Sequence, residues 1–165
     1  MVPPRRQHLF ALLIPAVLVG ACTSSSSDRT AQLLGRRLET SLAPDVAAGR
    51  ASLEQLPNGA RVTLADQSLF SGNGNGTKLT DAGRYTLASA IEGLLDPSIT
   101  QVYVAGSPNG PIGLPDARTQ AVTQYFTENG LGPVLRPSDQ QSAVPAGASG
   151  VSQQGVTITA ITNPG

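Results

Sequence analysis

Very few residues in this chain can carry bond-making chemistry, and their positions decide most of what it can do. The single histidine is His8, the single cysteine is Cys22 and the single lysine is Lys78. His8 falls in what reads as a removable leader, so the body downstream has no imidazole. That inventory cannot build a Ser-His-Asp triad, a Cys-His pair or a His/Cys zinc site. The run Gly72-Asn73-Gly74-Asn75-Gly76-Thr77-Lys78 has the glycines of a phosphate loop. A Walker loop ends Gly-Lys-Ser/Thr, however, and here Thr77 precedes Lys78. The dinucleotide glycine spacing also fails. Gly147-Ala148-Ser149-Gly150 lacks the residue that a nucleophile elbow keeps between its serine and second glycine. A Ser-Lys dyad would have to use Lys78, and position 75 holds Asn75 where the serine should stand. The 11 acidic residues follow no motif and are expected on the surface. The reading is a binding or structural module with no catalytic residues, no metal and no cofactor.

Composition narrows this further. Charged residues make up 13% of 165, about half the ~25% of an ordinary domain. With 18 Gly and 13 Pro, a small core carrying long loops is expected. Beyond Arg5 and Arg6, nine basic residues face 11 acidic ones, leaving a charge of about −2. Such a surface has no general attraction for a polyanion, so nucleic acid is excluded as a partner.

The first 21 residues have the three parts of a signal peptide. Arg5 and Arg6 give a positive start, Leu9 to Val19 is an apolar run, and small residues follow. The run is too short for the ~20 residues of a membrane-spanning helix but fits a signal core of ~7–15. Leu18-Val19-Gly20-Ala21-Cys22 resembles the lipobox of bacterial lipoproteins. The resemblance implies that the Cys22 thiol receives a diacylglycerol, that cleavage falls just before it, and that the new amino terminus is acylated. Two or more acyl chains suffice for stable anchoring where one is marginal. Thr23 differs from the aspartate of inner-membrane retention, which implies the outer membrane, with the body facing the periplasm.

The elements that would position a binding site follow. Residues 22–27 form a polar tether, and 28–57 a helical spacer. Leu34, Leu38, Leu42, Val46, Gly49, Leu53 and Leu56 recur at spacings of three and four, a single helical stripe. Pro44 interrupts it, so two short helices or one kinked helix would both serve. The spacer packs loosely on the body or offers a coiled-coil contact to envelope proteins. Pro57-Asn58-Gly59 marks a turn. Ala60 to Leu64 alternates as a strand, and Thr80 caps a helix that runs to about Leu95 with Leu87, Ile91 and Leu94 inward. Ile99 to Ala105 is a second strand. Pro115 to Asn129 is a second helix, with Ala121, Val122, Tyr125 and Phe126 inward and Gly130 at its end. Val134 and Leu135 open a short strand, 138–155 is a loop, and Val156 to Ile161 is the last strand. Strand-helix-strand-helix-strand order, with helical crossovers, predicts an α+β fold: a mixed sheet with helices on one face.

Within a body spanning 58–165, the stretch from about Ala60 to Ile161 resembles the OmpA-like peptidoglycan-binding domain of OmpA and peptidoglycan-associated lipoprotein. The resemblance rests on three segments. The first is the strand ending in Leu69-Phe70, followed by Leu79-Thr80-Asp81-Ala82-Gly83. The second is Val102-Tyr103-Val104-Ala105-Gly106, and the third is Leu114-Pro115-Asp116-Ala117-Arg118-Thr119-Gln120-Ala121-Val122. The family holds diaminopimelate with an aspartate for its ammonium and an arginine for its carboxylate, a pairing that suits the guanidinium fork. Arg118 matches that arginine. The aspartate position falls on Asn109, whose amide oxygen can accept one hydrogen bond but carries no charge. The loop from Asn109 to Leu114 is about six residues shorter than the family's. Gln153-Gln154 stand where the family commonly has an arginine pair. Asp116 is a substitute carboxylate near the start of the helix, or else complements the helix dipole while Arg118 is solvated or pairs with it. The resemblance therefore implies a lipid-anchored link from outer membrane to peptidoglycan through Asn109, Asp116 and Arg118. The alternative is an envelope scaffold whose pocket is degenerate and whose partners are proteins.

Overall fold

Helix α1 (Ser26–Ser41) opens the computed structural model, which describes residues 26–72, 76–106, 113–137 and 155–163. The leader, Cys22, Asn109 and all of the expected loop 138–155 except Gly155, which opens the last strand, lie outside these residues. Ala31, Leu34, Leu38 and Leu42 are all buried, at the three-and-four spacing seen in the sequence. Pro44 starts a second, separate helix, α2 (Ala43–Ala47), because its missing N–H is harmless only in a first turn. Two short helices, not one kinked helix, are therefore what forms. Gly49, at φ +68°, then turns the chain out of helix.

The helical stripe expected to reach Leu56 stops here. Leu53 and Leu56 belong to strand β1 (Ala51–Leu56), paired antiparallel with β2 (Gly59–Ala65) across Pro57-Asn58. A spacing of three between leucines fits either element, and the tight turn imposes the hairpin. α1 also packs more firmly than a loose spacer would. Its Leu34, Leu38 and Leu42 share one core with the strands and later helices. The carboxamide of Gln55 ties it down, donating to the carbonyls of Ala31 at 3.0 Å and Gly59 at 2.7 Å.

After a short helix α3 (Asp66–Leu69), which the sequence pattern had not suggested, comes α4 (Asp81–Leu94). Thr80 caps α4 as expected, its hydroxyl accepting from the Gly83 N–H at 2.9 Å. Strand β3 (Ile99–Ala105) leads to α5 (Leu114–Phe126), which ends in a π turn, with Gly130 at φ +97°. Strands β4 (Leu135–Arg136) and β5 (Gly155–Thr162) complete the fold.

The sheet order is β1-β2-β5-β3-β4. Helical crossovers suggest parallel neighbours, yet β2 and β3 do not pair. β5 lies between them, antiparallel to both, and only β3 and β4 are parallel neighbours. Val62, Ile158 and Val104 stand in register across this centre and are buried with Leu38, Leu87 and Phe126. α1 and α5 lie on the strands and α4 contacts both helices, giving the α+β mixed sheet that the sequence predicts. Among the described residues, no helix is long and apolar enough to cross a membrane.

Candidate functional site

One end of the sheet holds the buried Asp66–Arg118 pair. β2 and β3 finish there and β5 begins, as the pairs Ala65↔Gly155 and Ala105↔Thr157 show. Glycine lets the backbones close at this end. A Cβ on Gly155 would stand 2.3 Å from the Leu64 carbonyl oxygen, and one on Gly106 would stand 2.6 Å from that of Pro115. The second contact draws the start of α5 against the end of β3.

Asp66, the first residue after β2, and Arg118, one turn into α5, meet in this corner. The Arg118 Nη1 donates to Asp66 Oδ2 at 2.6 Å, and its Nε donates to the Gly76 carbonyl at 3.1 Å. The guanidinium carbon stands 5.2 Å from the centroid of the Phe70 ring, within cation–π range. Each of the two charged side chains is only 7% exposed. Burial pushes the Asp66 carboxyl above its ordinary value, and the charge and hydrogen bond of Arg118 only partly offset this. Among the described residues, the second carboxylate oxygen, Oδ1, is buried without a hydrogen-bond partner.

Of the site residues expected from sequence, Arg118 is placed at this corner and Asn109 lies outside the described residues. Asp116 is exposed and lines a separate groove of about 850 Å³ with Thr119, Thr123 and Arg136. Two positions apart on a helix is about 200° of rotation, so Asp116 and Arg118 serve different faces of α5. The carboxylate paired with Arg118 is therefore Asp66 and not Asp116. Asp66 escaped the sequence reading. Its signal was one acid inside the otherwise uncharged run from Val62 to Phe70.

No family model matches the chain, and no curated protein matches it in sequence. Solved structures do. The cell wall anchor of the T6SS from Pseudomonas aeruginosa is 25% identical at a TM-score of 0.57, covering 78% of this chain and 99% of that one. A MotB-like protein from Desulfovibrio vulgaris is 12% identical at 0.60, covering 83% and 97%. The periplasmic domain of MotB is 18% identical at 0.50, covering 68% of each chain. The chain has the OmpA-like fold. In this OmpA-like body the arginine singled out by the sequence resemblance, Arg118, stands at the strand-end corner and is charge-paired there with Asp66.

Proposed function

We propose that this chain is a lipid-anchored envelope protein whose OmpA-like body grips peptidoglycan and so links the outer membrane to the cell wall. The observation that carries the reading is the likeness to a cell wall anchor over 78% of this chain and nearly the whole of the other. In this reading Arg118 receives a carboxylate of the wall peptide through its fork, the geometry guanidinium matches best. Asn109, at the family's aspartate position, offers an amide oxygen. Asp116, exposed on another face of α5, is left out of this set. Cys22 carries the acyl groups. Since α1 begins at Ser26, the body stands only a few residues from the anchor.

Two experiments test the two halves. Cells expressing the chain should incorporate labelled palmitate, and Cys22→Ser should abolish it; equal labelling of the variant would remove the anchor. Purified protein without the leader should co-sediment with isolated sacculi, and a folded Arg118→Ala variant should not. Binding by the variant equal to wild type would remove Arg118 from the site.

A second reading draws support from the burial of Arg118. An arginine 6% exposed, bonded to Asp66 and the Gly76 carbonyl, also fits a degenerate pocket on a scaffold that contacts proteins. The same sacculi separate the readings, because a scaffold would stay in the supernatant.

A further inference from the structure

Helix α1 buries one face and turns the other to solvent. Ala31, Leu34, Leu38 and Leu42 point into the core, and the direction opposite them on the helix passes close to Leu33. Leu33 is 60% exposed. Arg29, Arg36, Arg37 and Thr40 lie within about 60° of it around the helix axis, all exposed. The acids of α1 point elsewhere, since Asp28 and Glu39 fall about 120–140° from Leu33, on the flank of the buried stripe. The outward face is thus three guanidiniums around a leucine, with no carboxylate from its own helix. Arg37 is held by Asp96 at 2.6 Å, whereas among the described residues no salt bridge holds Arg29 or Arg36. Glu92 of α4 lines one groove with Arg36 and Arg37 and is the one acid bordering them there.

The chain length before α1 says what this face meets. Three residues, 23–25, separate Cys22 from Ser26, the first residue of α1. Four Cα steps reach at most about 14 Å. A lipid on Cys22 therefore holds the start of α1 at the headgroups of the leaflet it enters. Arg29 and Arg36 follow Ser26 by only about 4.5 Å and 15 Å along the helix axis.

We infer that the outward face of α1 docks on the anionic phospholipid headgroups of the membrane that holds the anchor. Arg29 and Arg36 take phosphates, which suit the guanidinium fork, and Leu33 enters the boundary with the acyl chains. The inference rests on the lipid-anchor reading and adds a docked orientation of the body to it. Two charges and one leucine bind a surface weakly by themselves. On a short tether the same contacts act at high effective concentration, as the second of two membrane signals.

The chain has no tryptophan and one cysteine, so Leu33→Trp reports on this face alone and Cys22 can be coupled specifically. The leaderless protein carrying Leu33→Trp is joined through the Cys22 thiol to a maleimide lipid in vesicles, a linkage independent of acylation in cells. On an equal mixture of phosphatidylglycerol and phosphatidylcholine its emission should shift to the blue and be quenched by brominated acyl chains. High salt should reverse both. On phosphatidylcholine alone the emission should stay that of a tryptophan in water. Arg29→Gln and Arg36→Gln should each lower the ratio of docked to undocked protein about fivefold. Arg136→Gln, at the far edge of the sheet, should leave it unchanged. Equal emission on the two vesicles would overturn the inference, as would a blue shift that grows with protein concentration in the absence of vesicles, the sign of a second copy on this face. Palmitate absent from Cys22 in cells would remove the anchor and this surface together. Palmitate present, with the tryptophan unmoved, would remove this surface alone.

Discussion

The guanidinium of Arg118 and the carboxylate of Asp66 lie 2.6 Å apart, on side chains 52 positions apart in sequence and each 7% exposed. The bond joins the start of α3 to α5 and so pins two elements that the sheet alone does not connect. Removing one member of such a pair strands a buried charge, which costs about 3–5 kcal/mol, whereas replacing both with apolar groups is often neutral. Arg118→Met and Asp66→Leu should each lower the urea midpoint strongly, and the double variant should recover most of the loss. Additive losses in the double-mutant cycle would show that the pair is not coupled.

The acids give opposite pH signatures. Hydrogen bonds from the Ser98 hydroxyl and N–H, at 2.6 Å and 2.8 Å, hold the Asp96 carboxyl below its ordinary 3.8. Its contribution is therefore present above pH 3.8 and lost as pH falls through its lowered value. Asp66, raised above 3.8 by burial, behaves in reverse: its contribution is full below 3.8 and lost as pH rises through its raised value. Urea midpoints measured from pH 2 to 7 should show Asp96→Asn least stable relative to wild type near neutrality, with the gap closing in acid. A gap constant with pH would contradict the assignment.

Helix α4 depends on two residues at its start. Thr80→Ala removes the side-chain cap and should cost about 1 kcal/mol. Gly83→Ala would place a Cβ 2.4 Å from the Leu69 carbonyl oxygen and drive α4 off α3, an overpacking cost of about 1–3 kcal/mol. Thermal melts should rank Gly83→Ala at or below Thr80→Ala; a melting temperature unchanged in both would argue that α4 is not docked as described.

Gln55 fixes α1 to the first hairpin, and α1 brings Leu34, Leu38 and Leu42 into the shared core. Gln55→Ala should cost about 1–3 kcal/mol by leaving the bonded carbonyls unsatisfied. Hydrogen exchange should quicken in α1 before it does in β5. A protein cut to begin at Arg50 should expose core surface and lose its cooperative transition. An unchanged transition would make α1 an appendage.

How far the sequence reveals this structure depends on how local each signal is. Ile99–Ala105 and the Thr80 cap were legible because each is defined by its own neighbours. The helix expected through Leu53 and Leu56 gives way to strand because leucine spacing is ambiguous over so few residues, and the deciding turn lies beyond them. The insertion of β5 between β2 and β3 is a long-range pairing with no local trace. Arg118 was found from the resemblance alone. Its partner was missed because 52 residues separate it from Asp66, and because the nearer Asp116 offered a simpler pairing that helix geometry forbids.

The claim at the centre is that the corner around Arg118 grips the wall. The leaderless protein titrated against purified sacculi tests it most directly, with free meso-diaminopimelate added as competitor. Saturable pelleting, reversed by meso-diaminopimelate and lost in a folded Arg118→Lys variant that keeps the charge without the fork, is the expected result. Protein remaining in the supernatant at every sacculus concentration would contradict it.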